Sequence, residues 1–69
     1  MKVVATWVNP RAYQKGVRYR QVYNAESIGQ SSSLRIDVNG SCMIAKDIMG
    51  RLATRTMTGS TMATWEVVE

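Results

Sequence analysis

With one cysteine and no histidine among 69 residues, this chain can be stapled neither by an internal disulfide nor by the histidine and cysteine sets that hold structural zinc. A domain this short buries only about 60% of the surface its unfolded chain exposes, and small domains ordinarily add a staple or a partner subunit. The fold must therefore rest on one small apolar core, on self-association, or on both. Apolar residues make up 45% and charged residues 20% of the sequence, the proportions of a folded domain rather than a disordered tail. One domain over residues 1–69 is expected.

No apolar run approaches the roughly 18 residues that span a bilayer. Thr6 and Asn9 interrupt the apolar start before a signal-peptide core can form. Together with the unpaired Cys42, these features lead to the expectation of a cytoplasmic protein with no membrane partner.

Lys2 to Val8, rich in Val, Thr and Trp and stopped by Pro10, predicts a first strand that is apolar on both faces. Asn9 to Gly16 reads as a loop, and Val17 to Tyr23 alternates as a second strand with Arg18 and Arg20 on its wet face. Asn24 to Ser33 reads as a turn, with one helical turn begun by Asn24, and then a flexible loop around Gly29 and the serine run. Leu34 to Val38 alternates as a third strand.

Asn39 and Gly40 form the strongest short hairpin signal, but the residues after them point elsewhere. Ile44, Ala45, Ile48, Met49, Leu52 and Ala53 recur at helical spacing, and Ser41 is placed to cap them. The spacing predicts a helix over Cys42 to Thr54, in which Gly50 costs about 1 kcal/mol relative to Ala. Arg55 to Thr61 reads as a turn or short hairpin, and Met62 to Val68 as the last strand. Its Ala63, Thr64 and Trp65 echo Ala5, Thr6 and Trp7, so the two ends of the chain are suited to pair.

The expected fold is α+β: a small four-stranded antiparallel or mixed sheet, in the order β-β-β-α-β, with one helix packed on one face. Its core would be Val3, Ala5, Trp7, Leu34, Ile36, Val38, Ile44, Ile48, Met49, Leu52, Trp65 and Val67. Such a sheet has two edges, and a homodimer formed through an edge strand would cover them.

All of the surplus positive charge lies in the first 25 residues, which carry Lys2, Arg11, Lys15, Arg18 and Arg20 and no carboxylate. A field of one sign attracts polyanions. Tyr13, Tyr19 and Tyr23 are interleaved with these cations, and tyrosine rings stack on unpaired bases while guanidinium groups meet phosphates. The candidate nucleic-acid-binding residues are Arg11, Tyr13, Lys15, Arg18, Arg20 and Arg35, the last sharing an outer sheet face with Arg18 and Arg20. Against this stands an ordinary solvated strand, its rings in the core and its arginines neutralised by Asp37 and Glu66.

Catalysis has little to draw on. Without histidine there is no imidazole base, and Glu26, Asp37, Asp47, Glu66 and Glu69 follow no catalytic spacing. Cys42 lacks an activating partner and reads as a small buried apolar residue, and Lys46, Arg51 and Arg55 read as the solvated face of the helix. No catalytic residue, cofactor or metal is expected. The expected function is a small non-enzymatic nucleic-acid-binding accessory protein. The alternative is a regulator or inhibitor module that docks on an acidic protein partner or assembles with itself, drawing on adaptable methionines.

Overall fold

The computed structural model describes residues 1–30 and 32–69, so Ser31, within the serine run read as a loop, lies outside the described residues. The chain forms β1 (Lys2–Val8), α1 (Pro10–Gln14), β2 (Val22–Ser27), β3 (Leu34–Val38), β4 (Ser41–Ile48), β5 (Arg51–Arg55) and β6 (Thr61–Val67). Each strand pairs antiparallel with the next, and β6 returns to β1, closing a barrel. The α+β expectation of a four-stranded sheet under one helix is overturned.

The correction lies mainly in residues 42–54, which form β4 and β5 instead of a helix. Met49 and Gly50 take φ of 53° and 85°, and Asn39 and Gly40 take 52° and 86°. Positive φ at both central residues is what a two-residue hairpin turn matched to strand twist requires. In both turns an aspartate three residues earlier caps the glycine: Asp37 Oδ1 accepts from the Gly40 N–H at 3.1 Å, and Asp47 Oδ1 from the Gly50 N–H at 3.0 Å. Gly50 is thus the hinge of a hairpin rather than a weak point in a helix.

The second strand also shifts, from the expected 17–23 to Val22–Ser27. Arg20 sits at φ 69°, which breaks the extended run. Residues 24–27 continue the strand rather than turning. The expected loop at 9–16 holds α1, started by Pro10 at its first turn and by the Asn9 side chain, which accepts from the Ala12 N–H at 2.8 Å. β1 and β3 have the expected bounds, and β1 pairs with β6.

A six-strand barrel has a narrow bore, and this one is filled by small residues set against a few large ones. Ala5, Ala25, Ala45, Ala53 and Ala63 place a buried alanine on five of the strands, around Ile36, Tyr23 and Trp65. The Tyr23 and Trp65 rings meet edge to face, with centroids 5.7 Å apart. Trp65 Nε1 donates to Thr54 Oγ1 at 3.0 Å, which satisfies the buried threonine. Ala12 and Val17 plug the end beside α1.

Four residues expected in the core stand outside it: Trp7, Ile44, Met49 and Val67 are exposed. A bulge between Ala5 and Trp7 turns the tryptophan out, the strand pleat sends Ile44 outward beside buried Met43 and Ala45, and Met49 is a turn tip. Ile48 and Leu52 are half-buried. Cys42 is exposed rather than buried. Closure leaves no strand wholly at an edge, which removes the premise from which edge-to-edge dimerisation was argued. Among the described residues, no helix is long and apolar enough to cross a membrane.

The corner after α1 depends on Gly16. Its φ is 111°, and a Cβ there would lie 2.3 Å from Asn39 Nδ2 in the β3–β4 turn. Gly16→Ala should therefore cost about 1–3 kcal/mol from backbone strain alone, a fall of roughly 4–8 °C in melting temperature per kcal/mol for a domain this size. Thermal denaturation followed by circular dichroism checks this, and an unchanged midpoint would show that the corner is not strained by a side chain.

Candidate functional site

Strand direction alone sorts the charges. β1, β3 and β5 end, and β2, β4 and β6 begin, at the pole that carries α1. Arg11, Lys15, Arg18 and Arg55 lie at that pole with Arg20 on its rim, and Asp37 is the carboxylate there. The opposite half holds Lys2, Arg35, Lys46 and Arg51 against Glu26, Asp47, Glu66 and Glu69, which balance. The whole net charge of +4 therefore belongs to the α1 pole.

The cations at this pole stay uncompensated. Among the described residues, the only ion pair is Arg35 Nη2 with Glu26 Oε1, at 2.5 Å. Asp37 is turned to Gly40, and Glu66 faces β1 at the other half of the barrel. Arg11, Lys15, Arg18, Arg20 and Arg55 are all exposed.

Two of them are held in place. Tyr23 is a strut whose hydroxyl accepts from the Arg18 N–H at 2.8 Å and donates to the Gly16 carbonyl at 3.1 Å, fixing the corner to the core. From that corner Arg18 Nη1 donates to the carbonyls of Tyr13, at 2.7 Å, and Val17, at 3.3 Å. Its guanidinium lies 3.8 Å from the centre of the Tyr13 ring. Arg20 repeats the arrangement over Tyr19 at 5.5 Å. Carbonyl bonds and ring faces orient a guanidinium without neutralising it.

Tyr13 and Tyr19 are 56% and 60% exposed, so each keeps open surface for a ligand beside the guanidinium that lies over its ring. Together with Val8, Asn9, Pro10 and Gln14 they line one shallow, mainly apolar depression. Arg11 and Lys15, on the other side of α1, face the β5–β6 loop at Thr56, Met57 and Thr58. The surface thus sets two exposed aromatic rings beside the held guanidinium groups of Arg18 and Arg20, with Arg11 and Lys15 on the other side of α1.

Of the residues singled out from sequence, the fold gathers Arg11, Tyr13, Lys15, Arg18 and Arg20 at one pole and leaves Arg35 out. Arg35 sits near the start of β3 at the far half, paired with Glu26. The outer face it was expected to share with Arg18 and Arg20 does not form, because both arginines precede β2. Two contributors were missed. Tyr19 was placed on the inner face of a strand that does not exist there, and Arg55 was read as the end of a helix. Among the described residues, no cluster of His, Cys, Asp and Glu gathers that would hold a metal. Compared with protein families, with curated proteins and with solved structures, the chain matches none.

Proposed function

We propose that this protein binds single-stranded nucleic acid without catalysis, as a small accessory protein, through its α1 pole. The observation that carries this reading is the set of exposed cations with no carboxylate partner among the described residues, around two exposed tyrosines. Phosphates meet Arg11, Lys15, Arg18 and Arg20, and unpaired bases stack at Tyr13 and Tyr19. Duplex bases are already stacked and offer no free face, so single strands gain most from the rings. A cytoplasmic site of action agrees with the exposed free thiol of Cys42, which suits a reducing compartment.

Fluorescence anisotropy with a labelled oligothymidylate and a duplex of equal length, each across a series of salt concentrations, tests the reading. Four phosphate contacts give a slope of log affinity against log salt of about −3 for a single strand. Tyr13→Ala and Tyr19→Ala should each weaken single-strand binding by about 5- to 150-fold, the equivalent of ~1–3 kcal/mol per stacked base, with a smaller effect on the duplex. Absence of binding at low salt would refute the proposal.

A further inference from the structure

The barrel is closed, yet one length of β4 is paired on one side only. Ser41–Ala45 pairs with β3, while pairing with β5 is confined to Lys46–Ile48. Beyond Ala53, β5 leaves β4 and follows β6, with Thr54 opposite Ala63 and Arg55 opposite Thr61. Two-residue turns make Val38 with Ser41, and Ile48 with Arg51, hydrogen-bonded pairs, and such pairs alternate along an antiparallel ladder. The backbone groups of Ser41, Met43 and Ala45 therefore serve β3, and those of Cys42 and Ile44 point into the gap. Among the described residues, no hydrogen bond outside the strand ladders reaches either of them.

The gap is a groove rather than a crack. It is lined by Val38, Met43 and Met62 as an apolar floor, by the exposed Ile44, and by Lys15 and Arg55 as charged walls. None of its described lining residues is acidic.

We propose that this edge of β4 takes an extended, acidic segment of a partner protein as an added strand. A peptide backbone supplies both donors and acceptors to match the N–H and C=O groups of Cys42 and Ile44, whereas a phosphodiester chain has no donor for the carbonyls. Its alternate side chains face opposite ways: apolar ones meet Val38, Met43 and Met62, and acidic ones meet Lys15 and Arg55. A second copy of this chain fits badly, because a two-fold pairing of β4 on β4 brings Lys15 and Arg55 of both copies together.

The test uses the intact, isotopically labelled protein and a synthetic peptide of alternating valine and glutamate. On saturation the amide resonances of Cys42 and Ile44 shift, and their hydrogen exchange slows at least about tenfold, since fixed strand pairing withdraws an amide from water. The same peptide carrying N-methyl groups along one edge keeps its charge and loses the ladder, and should bind at least about tenfold more weakly. Lys15→Gln with Arg55→Gln should weaken binding to a similar degree, while Lys46→Gln with Arg51→Gln at the far half leaves it unchanged. A peptide of alternating valine and lysine should not bind.

The proposal is overturned if the acidic peptide leaves the Cys42 and Ile44 amides unmoved, or if the N-methylated peptide binds as tightly, which would show charge attraction alone. It also falls if those amides become protected in the free protein with rising concentration, making a second copy the occupant. Protection by an oligothymidylate would instead extend the nucleic-acid surface to this edge and remove the peptide. The outcomes of the peptide titrations and of the concentration series do not depend on whether the α1 pole binds nucleic acid.

Discussion

Trp65→Ala should abolish the cooperative unfolding transition of this domain at room temperature. Removing a buried tryptophan costs about 3–5 kcal/mol, and here it also strands the hydroxyl of Thr54, which is buried and bonded to Trp65 Nε1. An unsatisfied buried polar group adds about 1–3 kcal/mol. Against this, stability of 0.05–0.15 kcal/mol per residue gives 69 residues about 3–10 kcal/mol in total. The five alanines that share the bore cannot repack into the space, because each is anchored to a different strand. Trp65→Phe is the informative companion. It keeps most of the volume and the ring edge against Tyr23 but loses the hydrogen bond, so it should cost about 1–3 kcal/mol and leave a folded protein. Urea denaturation followed by far-ultraviolet circular dichroism distinguishes the two. A Trp65→Ala variant with a wild-type midpoint would mean that the barrel is not held from its centre.

The first and third strands were legible in the sequence, and residues 42–54 were not, for a physical reason. Lys2–Val8 and Leu34–Val38 are short, β-branched and bounded by turn residues, so only one regular structure suits them. Ile44, Ala45, Ile48, Met49, Leu52 and Ala53 suit a helix stripe equally well, and alanine favours it. What decides the matter is a feature not weighed there: Asp37-Val38-Asn39-Gly40 and Asp47-Ile48-Met49-Gly50 repeat the same aspartate-to-glycine spacing. Both are hairpin turns with the same capping bond. A repeated turn implies a repeated hairpin, and two linked hairpins leave no room for a helix between β3 and β6.

The candidate site divides along the same line. Its charge asymmetry is a matter of counting and survived the change of fold: Arg11 and Lys15 lie in the connection from β1 to β2 in either architecture, and the shift of β2 to Val22–Ser27 puts Arg18 and Arg20 in that connection as well. The grouping with Arg35 depended on strand register, which a displaced β2 alters completely. Tyr19 was lost for the same reason. Alternation from Val17 to Tyr23 placed its ring inside, and only the positive φ of Arg20 shows that the run is not extended.

Reversing charge at the α1 pole should eliminate nucleic-acid binding, and it separates a built surface from a merely basic protein. Arg18 is the wrong residue to change, since its guanidinium bonds to the Tyr13 and Val17 carbonyls and its loss would disturb the corner. Arg11→Glu, Lys15→Glu and Arg20→Glu together remove three exposed cations and add three anions, taking the net charge from +4 to −2. Like charges set against phosphates cost several kcal/mol, so affinity for an oligothymidylate should fall by at least about 100-fold. The matched control is Arg35→Glu, Lys46→Glu and Arg51→Glu, which makes the same change of net charge at the far half. Because exposed charges farther apart than the Debye length of about 8 Å at physiological salt are largely screened, this second variant should bind within about threefold of wild type there. At low salt the long-range field returns and the two variants should converge. Equal loss in both at physiological salt would show that binding follows overall charge, and the tyrosines and arginines of the α1 pole would then have no special part in it.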